Sequence, residues 1–306
     1  MPLLSLTGVF APVLTPVDAN LDIDLPLYVE FCRWLLQTGC HGLVLFGTNS
    51  EATSFSVAER MAALDAVLEA GIPAHKLVIG NGTPAISDGV VLARHALATG
   101  CHGVMTLPPF YYPKVSDEGL FRAFAYIIER TGDPALKVYF YHIPQVSGIP
   151  LSADLLDRLA SAFPAVATGV KDSSGDPENL RRFQQVAASH AGFSLFCGTE
   201  SLLLANMRGG GAGCISGMAN VIPDQIRVLF ERWQDADAEA RQVQLNWLRN
   251  AAAGTGFNVI AAAKALTAAR TGAPGWARVR PPLVELTPAQ QQVLQAAVAV
   301  AEPVLA

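Results

Sequence analysis

The sequence predicts an α/β fold, a closed (β/α)8 TIM barrel followed by a C-terminal helical domain. From residue 8 to about residue 230, short apolar runs alternate with amphipathic segments. This alternation is typical of parallel strands joined by right-handed helical crossovers. Eight such units fit the available length as a closed barrel. A doubly wound open sheet is the alternative, but no GxGxxG motif follows the first strand.

Each predicted element has a local signal. The strands are predicted to begin near Gly8, Gly42, Leu77, Gly103, Leu136, Val166, Ser194 and Cys214. The clearest helices between them are LPLYVEFCRWLLQ (25–37), SVAERMAALDAVLEA (56–70), SDGVVLARHALA (87–98) and SDEGLFRAFAYIIER (116–130). The segments TGCHGLVLFG (38–47) and TGCHGVMTLP (99–108) repeat one pattern, a helix end, a glycine cap and a strand.

The strand pattern stops after residue 235. Three helices are predicted there, in DAEARQVQLNWLRNAAA (237–253), NVIAAAKALTAAR (258–270) and TPAQQQVLQAAVAVAEPVL (287–305). We therefore assign residues 1–235 to a catalytic barrel and residues 236–306 to a C-terminal helical domain.

Composition excludes several classes of protein. The 306 residues are 51% hydrophobic and 15% charged, which is too apolar for a disordered chain. A net charge of -5 without a basic stripe argues against binding to nucleic acid or an anionic membrane. The five cysteines form no CxxC pair, which favours the reducing cytoplasm. The N-terminus has no basic region typical of a signal peptide, and Lys264 interrupts an apolar stretch, so we expect no transmembrane span.

Four polar or aromatic clusters follow predicted strands. They are FGTNSE (46–51), LPPFYYP (107–113), YFYHIP (139–144) and TGVKDSSG (168–175), after strands two, four, five and six. Barrels of this kind carry their active sites where strands end and βα loops begin. We therefore expect the four clusters to meet on one rim.

Lys171 is the candidate nucleophile. A lysine in a poorly solvated pocket has a lowered pKa, attacks ketones and forms a protonated imine that accepts electrons. The alternative is a strand-end lysine that reaches solvent.

Tyr141 is the candidate proton shuttle, or else a packed aromatic with a satisfied hydroxyl. The loop GTNSE offers N–H groups and hydroxyls to an anion, or is an ordinary Ser/Thr turn.

In that order and spacing, GTNSE, YHIP (141–144) and GVKDSSG (169–175) resemble the pyruvate-dependent class I aldolase family. This family includes dihydrodipicolinate synthase and N-acetylneuraminate lyase. Further matches are GVFAPVLTPVD, PPFYYP, CISGMANVIPD and RVRPPLVELT, so the resemblance covers nearly the whole chain. It implies a (β/α)8 barrel with a C-terminal helical domain and a homotetramer built as a dimer of dimers. We expect no cofactor and no metal.

The resemblance implies roles for the matched catalytic residues. Lys171 would form the Schiff base, and Tyr141 would relay protons and orient the substrate. Thr48 would link Tyr141 to a tyrosine donated by the adjacent subunit. Tyr111 best matches that tyrosine, and Tyr112, one position later, is the alternative.

It also implies substrate-binding residues. Thr48 and Asn49 would hold the pyruvyl carboxylate, and Ile215 and Gly198 would wall the pocket behind the lysine. Glu200 in CGTES lies near a position that contacts sugar hydroxyls in the lyase. Its alternative role is a carboxylate at a helix N-terminus, favoured by the helix dipole.

Four positions depart from the family pattern. Asn49 and Ser50 stand where Thr or Ser and then Gly are common, and Ser50 tolerates positive φ less well than Gly, so we expect an altered loop. His142 replaces a frequent Asn, and we interpret it as a loop histidine. Dihydrodipicolinate synthases carry an arginine after the YNVP motif to hold the aldehyde's carboxylate, and Val146 stands there.

Two other patterns are interpreted as structural. The Cys–His pairs at 40–41 and 101–102 precede their strands, on the face of a barrel that carries stability instead of catalysis. The run RGGGAG (208–213) also precedes a strand, which favours a tight connection over a phosphate cradle.

The sequence therefore predicts a cytoplasmic lyase that forms a Schiff base with a small-molecule 2-keto acid. The predicted reaction is reversible cleavage of a 2-keto-3-deoxy sugar acid to pyruvate and an aldehyde. Dehydration of such an acid proceeds through the same enamine, and 4-hydroxy-tetrahydrodipicolinate synthase activity is a further alternative. A different class is a non-catalytic regulator that binds sugar acids, which the retention of Lys171, Tyr141 and Thr48 disfavours.

Overall fold

Eight parallel strands close into a barrel in the computed structural model, which describes residues 6–301. They are β1 (Gly8–Pro12), β2 (Gly42–Leu45), β3 (Leu77–Gly80), β4 (Gly103–Thr106), β5 (Val138–His142), β6 (Ala167–Asp172), β7 (Ser194–Cys197) and β8 (Gly213–Ile215). Each strand pairs with the next along the chain, and β8 pairs with β1. The predicted (β/α)8 barrel is confirmed.

Helices follow the strands and continue beyond the barrel. They are α1 (Leu25–Thr38), α2 (Val57–Glu69), α3 (Ile86–Ala98), α4 (Asp117–Thr131), α5 (Pro144–Ser147), α6 (Ala153–Ala162), α7 (Pro177–Ser189), α8 (Leu203–Arg208), α9 (Pro223–Glu231), α10 (Ala238–Ala253), α11 (Val259–Thr271) and α12 (Pro288–Ala301). Ser56 and Glu59 form a capping box at the start of α2, which satisfies free amides of the first turn. Within residues 6–301, no helix is long and apolar enough to cross a bilayer.

The three helices predicted after residue 235 are present as α10, α11 and α12. Residues 302–305 of the third predicted helix lie outside the described residues. So do residues 1–5 and 306, which include the outer ends of the two predicted domains. The ring of Trp276, between α11 and α12, lies 4.5 Å from the ring of Phe31 on α1, so the C-terminal segment packs against the barrel's helical layer.

Strand side chains alternate between two cores, as the pleat of a strand requires. The inner core fills the barrel with Phe10, Val44, Val78, Met105, Tyr139, Tyr141, Phe196 and Ile215. The outer core lies between the strands and the surrounding helices. The barrel is therefore solid, and a substrate has room only at its mouth.

Candidate active site

Lys171 and Tyr141 lie together inside the barrel near the carboxyl ends of their strands. Tyr141 of β5 is the register partner of Lys171 of β6. Both residues are 3% exposed, and the Lys171 Nζ lies 4.2 Å from the centre of the Tyr141 ring. The neighbouring strands thus place an amine directly over a phenol.

The Lys171 amine is not held by a carboxylate. No ion pair among the described residues includes it. Lys264, by contrast, is paired with Glu51, and Lys137 donates to a backbone carbonyl 2.9 Å away. Of these three lysines, only Lys171 is buried without an ion-pair partner, which suits a nucleophile.

The phenol of Tyr141 sits in a short hydrogen-bonded chain. Its Oη lies 3.3 Å from the Thr48 Oγ1. Burial opposes ionisation, but the charge of Lys171 and hydrogen bonds from Thr48, Ser173 and Lys171 outweigh it, so the pKa of Tyr141 is lowered. The arrangement favours a phenol that exchanges protons with the substrate or the lysine.

The loop after β2 presents backbone amides beside this pair. Thr48–Ser50 form one turn of 3₁₀-helix. The amides of Thr48 and Asn49, at its start, are not donors in any hydrogen bond within the described residues. Free amides at the start of a turn favour binding of an anionic group.

Ser50 was expected to alter this loop because serine tolerates positive φ poorly, but its backbone does not adopt positive φ. Positive φ angles occur at Phe46 (58°) and Glu51 (56°), and Ser50 is not among the positive-φ residues. Instead, Ser50 is fully buried, its Oγ donates to the Val13 carbonyl, and it accepts from the Gly47 amide at 3.2 Å. A glycine at position 50 would lack these hydrogen bonds, so Ser50 ties the loop to the end of β1.

A cavity of about 380 Å³ opens beside Tyr141, between the barrel mouth and the C-terminal segment. Its lining includes Thr48, Glu51, Thr53, Ser54, Leu107, Phe110, Tyr141, Ile143, Val146, Asn258, Val259 and Leu283. No described residue of the lining is a lysine, an arginine or a histidine. Val146 lies on the wall and is 63% exposed. The lining is mainly apolar and includes hydroxyl and amide groups.

Gly198 follows β7, which is the neighbour of the lysine's strand β6, and Ile215 is the last residue of β8. Ile215 belongs to the inner core that contains Tyr141. The Gly198 amide donates to the Asp172 carbonyl at 2.6 Å, and a Cβ at Gly198 would lie 1.9 Å from the Ser173 Oγ. Glycine is needed here because the ends of β6 and β7 approach so closely. Their predicted role as the wall behind the lysine stays a prediction.

The other two predicted substrate contacts are engaged with the protein. The Asn49 side chain packs on Gly217, where an added Cβ would lie 2.2 Å from the Asn49 Nδ2. The side chain of Glu200 is fully buried, accepts from the Ser216 hydroxyl, and lies 3.2 Å from Nη1 of Arg249. Glu200 is not part of the cavity lining, so a contact with substrate hydroxyls stays a prediction.

Tyr111 and Tyr112 project from the loop between β4 and α4. They are 76% and 69% exposed, and their rings meet edge to face at 5.5 Å. No hydrogen bond among the described residues joins either tyrosine to Thr48 or Tyr141 of the same chain. The choice between them as the donated tyrosine stays open.

His142 corrects one expectation. It is the last residue of β5, not a loop residue, and is 4% exposed. Its Nδ1 accepts from the Leu151 amide at 3.0 Å, and its ring packs on Phe183 at 5.2 Å. Burial lowers the pKa of His142 despite the opposing charge of Asp172. His142 therefore faces the helices, away from Lys171.

The Cys–His pairs lie at the amino ends of β2 and β4. His41 Nδ1 accepts from the Val9 amide at 3.1 Å, and His102 Nε2 lies 3.0 Å from the Tyr139 Oη. Cys40 is buried, and Cys101 lies near a threonine hydroxyl. In the part of the chain that the structure describes, no three His, Cys, Asp or Glu side chains group as metal ligands would.

Sequence reasoning missed the buried pair of Glu51 and Lys264. Both side chains are 0% exposed and form an ion pair between the loop after β2 and α11. The signal was a lysine in the apolar run NVIAAAKALTAA, because a charge buried in such a helix needs a partner.

Comparisons with known proteins agree with this fold. Residues 5–301 match the model of the dihydrodipicolinate synthetase family. An uncharacterized DapA-like lyase of Chloroflexus aurantiacus is 30% identical over 249 residues, which cover 79% of this chain and 80% of that protein. The crystal structure of dihydrodipicolinate synthase from Agrobacterium tumefaciens has a TM-score of 0.88 and 31% identity, covering 96% of this chain and 99% of that one. A variant of the 2-keto-3-deoxygluconate aldolase of Sulfolobus solfataricus has a TM-score of 0.85, covers 97% of both chains and, at 20% identity, shares the fold.

Proposed function

The chain belongs to the dihydrodipicolinate synthetase family, and on that basis we propose that Lys171 forms a Schiff base with a 2-keto acid. The protein is a lyase of the class I aldolase type. We infer that it reversibly cleaves a 2-keto-3-deoxy sugar acid to pyruvate and an aldehyde. The observation that carries the proposal is the buried Lys171 amine, without a carboxylate partner, over the ring of Tyr141, whose phenol contacts Thr48.

In the first step, the Lys171 amine attacks the C2 carbonyl of the keto acid. The carbinolamine loses water and becomes a protonated imine, with Tyr141 passing the protons. The amides of Thr48 and Asn49 bind the substrate carboxylate and orient C2 toward the amine. The protonated imine then withdraws electrons from C3.

In the second step, the C3–C4 bond breaks. The phenolate of Tyr141 takes the proton of the C4 hydroxyl. The electrons of the C3–C4 bond move to C3 and the imine, so the aldehyde leaves and the enamine of pyruvate stays bound to Lys171. A proton returned to C3 and hydrolysis of the imine release pyruvate and regenerate Lys171. The lowered pKa of Tyr141 supports this base role, since the phenolate becomes accessible nearer to neutral pH.

The cavity lining favours binding of a neutral, hydroxylated aldehyde. Its lining has no cationic side chain among the described residues, and an aldehyde bearing a carboxylate would lose water there without compensation. Thr53, Ser54 and Asn258 supply hydroxyl and amide groups for hydroxyls of the leaving half. Dehydration of the same acid uses the same enamine and is the alternative outcome.

4-Hydroxy-tetrahydrodipicolinate synthase activity is the second candidate. The 31% identity to the Agrobacterium synthase favours it. Val146 opposes it, because valine offers no donor for the carboxylate of an amino-acid aldehyde.

We further propose the setting of the enzyme. A homotetramer in which Tyr111 enters the neighbouring subunit's site would account for the exposure of this tyrosine, 76%. Five free cysteines suit the cytoplasm. The division into a barrel at 1–235 and a helical domain at 236–306 follows the change from strands to helices.

Reductive trapping tests the proposal. Borohydride added with pyruvate should leave a reduced pyruvyl adduct on Lys171, located by peptide mapping, and Lys171→Ala should carry none. A coupled assay should detect pyruvate released from 2-keto-3-deoxy sugar acids. An adduct on Lys264 or Lys137 in place of Lys171 would contradict the assignment.

A further inference from the structure

The buried pair of Glu51 and Lys264 joins the carboxylate-binding loop to the C-terminal helices. Lys264 Nζ contacts Glu51 Oε1 and also donates to the Arg278 carbonyl at 2.7 Å. The other carboxylate oxygen, Oε2, accepts from the Arg280 amide at 2.8 Å. Both oxygens of Glu51 are therefore bound by the segment after residue 235, and none of these groups is needed in the chemical steps above.

Stability alone does not account for this pair. Two charges removed from water lose more hydration than their attraction returns, unless other contacts compensate, so apolar residues of similar size often serve stability as well. A buried ion pair is better explained where it holds the backbone in one conformation. Glu51 is a residue that needs such fixing, since its φ of 56° is unfavourable for a side chain with a Cβ.

The strained positions flank the predicted carboxylate site. Phe46 and Glu51 have positive φ angles, and Thr48 and Asn49 lie between them. Backbone of this kind persists only where the surroundings enforce it. The orientation of the two free amides thus depends on what holds Glu51.

Arg280 holds the far end of the same loop. Its guanidinium donates to the Ser54 carbonyl at 2.8 Å and to Glu59 Oε1 at 2.6 Å, and it lies 4.1 Å above the Phe55 ring. Two separate C-terminal elements, α11 and the segment around Arg280, therefore fix one barrel loop.

We propose that Lys264 and Arg280 are positioning residues for substrate binding. Through Glu51 they hold the turn that presents the Thr48 and Asn49 amides to the carboxylate of the keto acid. The C-terminal helices are thus part of the keto-acid site, although they supply no reacting group. This inference rests on the proposed Schiff-base function.

The test variant is Glu51→Asp, which keeps the charge but shortens the side chain by one methylene. We expect the shorter side chain not to reach Lys264 and Arg280 together. We expect the pyruvate concentration for half-maximal borohydride trapping on Lys171 to rise about tenfold or more, as loss of one hydrogen bond to a charged group implies. The KM for the keto acid should rise likewise, with kcat at saturation nearly unchanged.

A double variant separates positioning from charge balance. Glu51→Met with Lys264→Met buries no unpaired charge, so its melting temperature should stay near that of the wild type. If the pair positions the loop, the pyruvate concentration for half-maximal trapping should still be raised in the double variant. If the pair only balances buried charge, this concentration should return to the wild-type value. Arg208→Met is the matched control, because it breaks an exposed pair with Glu239 between α8 and α10 without touching the loop.

The outcomes distinguish the two proposals. If wild-type protein forms no adduct on Lys171, the proposed function itself fails. If the wild type forms the adduct and both Glu51 variants trap pyruvate at the same concentrations as the wild type, the positioning role alone is overturned. Unfolding of both variants would make the pair a folding requirement and would likewise overturn it.

Discussion

Replacement of Tyr141 by phenylalanine tests the proton relay most directly. The substitution keeps the ring, so the 4.2 Å contact between its face and Lys171 Nζ stays. It removes the oxygen that lies 3.3 Å from the Thr48 Oγ1. General acid–base groups contribute about 10²–10⁴-fold, which corresponds to roughly 3–5 kcal/mol of transition-state stabilisation. We expect kcat to fall in that range.

Stability should change much less than turnover. A typical internal hydrogen bond contributes about 0.5–1.5 kcal/mol, so Tyr141→Phe should melt only a few degrees below the wild type. The assay is coupled detection of pyruvate from a 2-keto-3-deoxy acid across a range of pH. The pKa of Tyr141 is lowered, and the proposed base is its phenolate, so wild-type kcat should rise with pH through that pKa and then level off. This rise should be absent in Tyr141→Phe.

Tyr139→Phe is the matched control. Tyr139 lies on the same strand, points into the same inner core and is 1% exposed, but its hydroxyl contacts His102 near the opposite end of the barrel. It should lose a similar amount of stability and keep its kcat. A near-normal kcat in Tyr141→Phe, or an equal loss in both variants, would refute the relay and make Tyr141 a packing residue.

Two further predictions concern specificity and the end of β6. Condensation of pyruvate with aspartate semialdehyde, measured in an assay coupled to dihydrodipicolinate reductase, should be very slow. Val146 cannot replace an arginine, whose hydrogen bonds to the aldehyde's carboxylate would contribute roughly 1.5–3 kcal/mol each. Turnover within about tenfold of a known synthase would contradict this prediction. Gly198→Ala should destabilise the protein by about 1–3 kcal/mol and reduce trapping on Lys171, because the new Cβ would lie 1.9 Å from the Ser173 Oγ and force the end of β6 to move. An unchanged melting temperature would show that Ser173 moves freely.

The fold was predictable because its signals are local. The four helix segments chosen from amphipathic patterns lie within one residue of α1 to α4 at either end. The strands, buried on both faces, give continuous apolar runs that a sequence shows directly. His142 was misjudged because a polar residue after an apolar run is typical of a loop. Here it instead ends a strand whose outer face packs on Phe183.

The site was predictable only in part. Residue types and order indicated Lys171, Tyr141 and Thr48, and the structure brings these three together. The ties that hold the loop were missed because they join residues far apart in sequence. Glu51 and Lys264 are separated by most of the chain, and nothing local in either segment identifies the other as its partner.

The register between β5 and β6 decides which face of the sheet Lys171 occupies. Val138 pairs with Ala167, but Tyr139 pairs with Gly169, so Thr168 is an extra residue in β6. Because side chains alternate along a strand, one extra residue exchanges the two faces of everything that follows. Without it, the partner of Tyr141 would be Val170, and the lysine would face the outer helices. The motif supplies the amine, but this single bulge turns it toward Tyr141 and the barrel mouth.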